Sequence, residues 1–382
     1  MSAPMSAPMS APMSASALDE LGWGGPFEAL FAEVAPAGSA PARVVATHRE
    51  TSIVRTDAGD LAAHVSGRFR REAQLLSDYP VAGDWVAIEP RPVERSATIH
   101  AVVPRRSAIT RSASDSNRRA TGRLVDEQVL AANVDVAFLV AAIDRDPNLA
   151  RLERYLALAW GSGATPVVLL NKVDRAIEAE TAVHSVEAVA IGVDVHPISA
   201  LTGVGLASVA QHLVRGRTAV VLGPSGVGKS TLANALLGTE RQATSEVRAS
   251  DARGRHTTTH RELIPLPGGA MLIDTPGIRS LELLDGDGGV ASAFAEIQDL
   301  AEACRFADCT HRNEPGCAVR TALADGSLDR RRWSSYEKLR REAAHVARST
   351  DARAREAEKR RWQAIHKSVR VHMRHKYGEG SE

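Results

Sequence analysis

Between residues 42 and 103, apolar and polar positions alternate in five short runs: ARVVAT, TSIVRT, DLAAHVSG, AGDWVAIE and ATIHAVV. A period of two marks a strand with one buried face, and the turn residues between the runs mark tight connections. Five such strands predict a small β-barrel, although the pattern alone does not choose among small barrels. Further along, the pattern changes. Unbroken apolar runs occur at 166–170 (PVVLL), 218–222 (TAVVL) and 270–273 (AMLI), with a strand-like stretch at 193–198. Runs of this kind suit strands buried on both faces of an α/β sheet. Residues 230–237 read as the helix that follows TAVVL, and the composition from Trp333 to Tyr377 favours helix. No run of eighteen apolar residues occurs, so no membrane span is expected.

The turn after TAVVL carries the first candidate chemistry. Gly223, Pro224, Ser225, Gly226, Val227, Gly228, Lys229 and Ser230 fit the phosphate-loop pattern G-x4-G-K-[ST], and Thr231 directly after it is a further candidate phosphate contact. Glycines let the turn wrap so that successive N–H groups face one anion, and the helix N-terminus adds partial positive charge. Lys229 is placed to reach the β- and γ-phosphates, and Ser230 to offer its hydroxyl to Mg²⁺.

PVVLL runs into Asn171-Lys172-Val173-Asp174, which fits the guanine-reading N-K-x-D. A carboxylate at Asp174 accepts hydrogen bonds from guanine N1–H and the exocyclic amine, a pattern adenine does not offer. Asn171 is expected to bridge the base to neighbouring loops, and the Lys172 stem to cover the ring. Ser199-Ala200 follows the strand-like 193–198, where a backbone N–H would meet guanine O6. Asp274-Thr275-Pro276-Gly277 matches D-x-x-G, in which Asp274 holds Mg²⁺ through water and the Gly277 N–H senses the γ-phosphate. Gly254 to Thr259 (GRHTTT) lies where a switch segment offers a threonine, Thr258, to Mg²⁺ and the γ-phosphate.

The order is unusual. N-K-x-D ordinarily lies downstream of the phosphate loop, but here it precedes it, so the nucleotide site is circularly permuted. Residues 202–217 must join the two halves. The switch elements then lie close to whatever follows residue 277.

That following segment carries a metal signature. Cys304, Cys309, His311 and Cys317 form C-x4-C-x-H-x5-C and include all three cysteines of the chain. Three thiolates and an imidazole can close a tetrahedral Zn²⁺ shell with no open position, which makes one structural zinc per chain the expectation. Disulfides fit less well, because the cysteine count is odd.

Taken in order, NKVD, ISALTGVG, GPSGVGKST, GRHTTTHREL, DTPGI and CRFADCTHRNEPGCAV resemble the ribosome small-subunit-dependent GTPases. The likeness spans roughly residues 40 to 345. It implies an α/β fold: a circularly permuted P-loop GTPase domain, with an N-terminal all-β OB-fold barrel and a C-terminal helical zinc-binding module. It further implies a late assembly factor of the small ribosomal subunit that binds rRNA, whose GTP hydrolysis to GDP is stimulated by the subunit and promotes release. The place of the water-positioning glutamine of Ras-like proteins is held by Ile278, which cannot hydrogen-bond to water. The resemblance offers His256 as the catalytic group; a histidine that only anchors the switch is the alternative.

Charge sharpens the picture at the C-terminus. The whole chain is close to neutral at +1, yet residues 330–376 hold sixteen lysines and arginines against five acidic residues. Such asymmetry suits an anionic partner, and RNA is favoured over a coiled-coil role. Arg68, Arg70 and Arg71 are candidate RNA contacts or a solvated surface, and Trp85 is a core residue or a stacking platform. Residues 1–16 repeat Met-Ser-Ala-Pro and read as disordered. The expected organisation is a disordered low-complexity N-terminus (1–38), the OB-fold RNA-binding domain (39–104), a basic linker (105–125), the permuted GTPase (126–288), the zinc module (289–345) and a basic helical tail (346–382). A cytoplasmic monomer is expected, with no membrane partner. A competing reading makes the chain a GTP-regulated, zinc-containing RNA-binding protein whose hydrolysis is incidental; a signalling GTPase lacks support, since neither end shows a lipidation motif.

Overall fold

The computed structural model describes residues 16–48, 51–73, 75–112, 127–144, 146–238, 261–274 and 287–350. Its N-terminal part corrects the expectation of disorder to residue 38. Helices α1 (Ala17–Glu20) and α2 (Gly25–Val34) form there, while residues 1–15 lie outside the described residues. Ser16 caps α1 by accepting from the Leu18 and Asp19 N–H groups, and the Asp19 carboxylate accepts from Ser16 N–H in return. Leu18, Leu21 and Phe27 are buried, and Trp23 packs on Trp85 with ring centroids 4.7 Å apart. The low-complexity repeat ends just before this apolar pattern starts, which hid it.

The five strands foreseen between 42 and 103 are present as β1 (Ala40–His48), β2 (Thr51–Thr56), β3 (Gly59–Val65), β4 (Trp85–Arg91) and β5 (Ser96–Val102), with α3 (Gly67–Glu72) between β3 and β4. They close as β1-β2-β3-β5-β4-β1, with β3–β5 parallel and the other pairs antiparallel. This is a five-stranded OB-type barrel. Alternate residues, including Ala42, Val44, Val86, Ile88, Ala97 and Ile99, fill it. Trp85 is fully buried, so it is core and no stacking platform.

The expected linker at 105–125 is structured at its start. Strand β6 (Ala108–Ser112) pairs with β7 (Glu127–Ala132), and Arg105 grips Asp84 with two bonds of 2.8 Å while donating to the Ser77 and Tyr79 carbonyls. A guanidinium so engaged acts as a clamp on the barrel. Residues 113–126 lie outside the described residues.

Next follow β8 (Val136–Ala142), α4 (Leu149–Gly161), β9 (Thr165–Asn171), α5 (Ala179–Glu187), β10 (Val195–Ile198), α6 (Leu206–Ala210), β11 (Thr218–Leu222), α7 (Lys229–Leu237), β12 (Glu262–Pro265) and β13 (Met271–Asp274). The strand order β10-β9-β8-β11-β13 is parallel throughout, and β12 is antiparallel to β13. Strand β12 also pairs with β1 at Ala46↔Glu262, joining barrel and α/β sheet. Arg43 reinforces that junction: its guanidinium donates to Leu21 O and, at 2.7 Å, to Thr218 Oγ1 at the start of β11. Burial pushes Arg43 down to about 10, against the pull of Asp135 and Asp84.

Four helices complete the described chain: α8 (Asp287–Ala293), α9 (Ala295–Glu302), α10 (Ala318–Asp325) and α11 (Arg330–Thr350). Helix α8 lies so close to α4 that a Cβ at Gly289 would stand 2.3 Å from Ala157 O. Fully buried Glu153 on α4 accepts from Arg332 at 3.0 Å and Arg331 at 3.2 Å, and Arg332 also bonds Glu296 at 2.7 Å and covers the Phe294 ring. Removing one partner of such a network strands a buried charge. Glu153→Gln is therefore expected to destabilise the docking of α11 by about 3–5 kcal/mol. Hydrogen exchange checks this: α11 should lose protection before the central strands, and unchanged protection would count against it.

Candidate functional site

The phosphate loop joins β11 to α7, beyond the carboxyl end of a central parallel strand, where open sheets bind ligands. Two glycines are dictated by their neighbours. Gly223 has φ +149°, and a Cβ there would lie 2.4 Å from Val140 O on β8. Gly228 has φ +97°, and its Cβ would lie 2.3 Å from Asn171 Nδ2. Gly226 also takes a left-handed φ of +82° but faces open space. The loop thus wraps with the N-terminus of α7 directed into it, and Ser230 and Thr231 stand in that first turn. Lys229 Nζ lies 2.8 Å from both Gly223 O and Pro224 O, so its ammonium spans the loop.

Asn171 ends β9 and is buried. Its Nδ2 donates to Val227 O at 2.7 Å, and its Oδ1 accepts from the Ala200 N–H at 2.9 Å. One carboxamide therefore ties the N-K-x-D segment to both the phosphate loop and the Ser199-Ala200 loop. Lys172 adopts a left-handed φ of +72°, and its Nζ lies 2.7 Å from Asp144 Oδ2, just past β8. The Asp174 carboxylate is partly exposed, 3.7 Å from Arg175 Nε. The Ser199-Ala200 loop differs from expectation in one respect. Ser199 N–H donates to Val204 O and Ala200 N–H to Asn171, so neither amide is free for guanine O6. Both are consumed in holding the loop against Asn171.

Asp274 ends β13, whose Ile273 pairs with Val220 of β11, so the D-x-x-G begins beside the phosphate-loop strand. Thr275 to Gly277, His256 and Thr258 lie outside the described residues. Asp144 was not singled out from the sequence; its signal is the acidic residue closing the apolar run VAFLVAAID.

Cys304, Cys309, His311 and Cys317 converge, with all four ligand atoms within 4.8 Å of one another. Cys304 Sγ stands 3.8 Å from Cys317 Sγ, and His311 Nδ1 stands 3.6 and 3.5 Å from them. A tetrahedral Zn²⁺ with bonds of about 2.3 Å to sulfur and about 2.0–2.1 Å to nitrogen requires about 3.8 Å between sulfurs and about 3.5 Å from sulfur to nitrogen. The cluster fits zinc. His311 holds a left-handed φ of +61°, and its ring meets Trp333 of α11 edge-on at 5.7 Å. Glu314 organises the loop by accepting from Thr310, Arg312 and Asn313. The Thr310 hydroxyl first, then its own backbone N–H and those of Thr310 and Arg312, hold its carboxyl down to about 2.

A family model described as RsgA GTPase matches residues 102–284. The small ribosomal subunit biogenesis GTPase RsgA of Opitutus terrae is 47% identical over 366 residues, covering 94% of this chain and 98% of that protein. The chain belongs to the RsgA GTPase family. The protein of the same description from Streptomyces coelicolor is 46% identical over 343 residues, covering 89% and 90% of the two chains. Among solved structures, YjeQ from Thermotoga maritima superposes with a TM-score of 0.61 at 26% identity, covering 80% of this chain and 99% of that one. YloQ, described as a circularly permuted GTPase, gives 0.58 at 23% identity over 81% and 96%, a likeness of fold alone.

Membership of the RsgA family agrees with the permuted order. The N-K-x-D at the end of β9 precedes the phosphate loop after β11 in sequence, yet Asn171 and Val227 touch. Among the described residues no helix is long and apolar enough to cross a membrane.

Proposed function

We propose that the protein is a GTP hydrolase acting late in the biogenesis of the small ribosomal subunit, with turnover stimulated by the subunit and coupled to release from it. The observation that carries this reading is the Asn171 carboxamide, which brings the N-K-x-D, phosphate and Ser199-Ala200 loops to one point. In this reading Asp174 reads the guanine amine and N1–H, Lys172 covers the ring, and the phosphate loop with Lys229 holds the β- and γ-phosphates. Hard oxygen donors at Ser230, Asp274 and Thr258 suit Mg²⁺, which would offset phosphate charge. His256 orients the attacking water, since Ile278 cannot. Zinc is structural and holds the C-terminal helices in register. Helix α3 beside the barrel, with Arg68, Arg70 and Arg71, and the basic residues that follow the Arg331–Arg332 network, meet rRNA. The protein works as a cytoplasmic monomer.

Base reading has a direct test. Asp174→Asn keeps an acceptor for guanine N1–H but sets an amide donor against the exocyclic amine, reversing the direction of that one bond; each bond to a charged group contributes about 1.5–3 kcal/mol. GTP affinity should fall by about 100-fold or more, with preference moving to xanthosine triphosphate. Nucleotide titration checks it, and unchanged GTP affinity would show Asp174 to be a surface residue.

A further inference from the structure

Beyond the Cys3His cluster, a second group of ligating atoms converges among the described residues. Asp194 and His196 lie at the amino end of β10, the edge strand, and His212 lies just after α6, within the connection that joins the permuted halves. The Nε2 atoms of His196 and His212 stand 2.9 Å apart, and Asp194 Oδ2 is 3.8 Å from His212 Nε2. The rings are held by packing: they tilt against each other at 5.2 Å, and His212 meets buried Phe138 edge-on at 6.3 Å. The backbone is fixed as well. Asp194 O accepts from Val168 N–H, and His196 pairs with Leu169 on β9.

We propose that Asp194, His196 and His212 form a second metal site, for a divalent first-row transition ion. Two cis nitrogens at about 2.1 Å from an octahedral or tetragonal ion stand about 3.0 Å apart, against about 3.4 Å for a tetrahedral one. The observed spacing matches the cis arrangement. Two imidazoles and one carboxylate form a ligand set with open positions for water, unlike the closed Cys3His set. Asp194 is well exposed, so its side chain is free to swing inward and ions have an entry path. The competing arrangement is a hydrogen bond between two neutral imidazoles. Its geometry uses the same two nitrogens, so only metal uptake separates the two.

An ion here would clasp residue 212 to the sheet edge. The clasped segment runs from the Ser199-Ala200 loop to β11 and its phosphate loop, so the ion would stiffen the link between the two halves of the nucleotide site. The site stands independently of any reading of the nucleotide chemistry.

Zinc-loaded, full-length protein equilibrated with low-micromolar Ni²⁺ provides the test, with zinc and nickel counted separately by elemental mass spectrometry. The wild type should gain one nickel per chain without losing zinc, and its melting temperature should rise. A variant with His196→Gln and His212→Gln should take up no nickel and show no rise. Asp194→Asn, a change at an exposed side chain, should weaken nickel binding about tenfold or more while leaving the fold intact. No nickel on the wild type, or equal uptake by wild type and the double variant, would overturn the proposal. If the double variant does not fold, unchanged affinity in Asp194→Asn would do the same.

Discussion

Lys229→Ala is expected to lose nucleotide affinity by about 100-fold or more while the protein stays folded. Lys229 Nζ spans Gly223 O and Pro224 O across the mouth of the loop, at the N-terminus of α7. It is the one cation within the loop motif, and each charge-assisted bond it makes to phosphate contributes about 1.5–3 kcal/mol. Its alkyl stem adds little to the cores on either side of the sheet, so melting temperature should move little. Titration with GTP and GDP gives the affinity, and circular dichroism the fold. Retained affinity would mean that the loop does not hold phosphate.

Stripping zinc, or Cys309→Ser, is expected to release the loop from 304 to 317 and with it the seating of α10 and α11. Structural zinc sites contribute on the order of 10 kcal/mol to the fold they close. Here that loop has little core of its own: Cys317 is buried and caps α10, and Trp333 of α11 leans on His311. Nucleotide binding should survive, because the hydrogen bonds by which Asn171 joins its loops run to Val227 and Ala200 and to none of these residues. Hydrogen exchange after chelation should show lost protection from residue 304 onward and intact protection in β8, β9 and β11. Uniform loss would mean that the zinc cluster is the keystone of the whole chain.

The parts of this molecule that were legible in the sequence are those whose chemistry constrains residue type and spacing. Glycine at 223 and 228 is required by the Val140 carbonyl and the Asn171 amide, and such requirements leave a pattern. The Cys3His spacing is likewise set by the metal's size. The barrel strands were legible because alternate residues face a small core. Other features are set by tertiary context. The buried Arg43, which joins β1 to β11, looks in sequence like any surface arginine in a strand. Arg105 belonged to a stretch read as a linker; only the fold reveals the Asp84 carboxylate it grips. The helices at 17–34 were obscured by the repeat before them. The Ser199-Ala200 amides show the reverse limit: the motif located the loop, but the hydrogen bonds to Asn171 and Val204 decide what those amides do.

The family relation gives the protein its reaction, and in the function proposed above the basic C-terminal residues and helix α3 meet the RNA of the subunit. Ile278 stands where a water-orienting side chain is needed, so the free protein should turn over slowly until the subunit completes the site around His256. The central claim is therefore tested most directly by GTP hydrolysis under multiple-turnover conditions, with and without purified small ribosomal subunits, for the wild type and His256→Ala. The account predicts slow turnover alone, stimulation of about 10³-fold or more by the subunits, and loss of most of that stimulation in His256→Ala with GTP and subunit binding retained. Turnover unchanged by small subunits would contradict it, and would favour an RNA-binding protein whose hydrolysis is incidental.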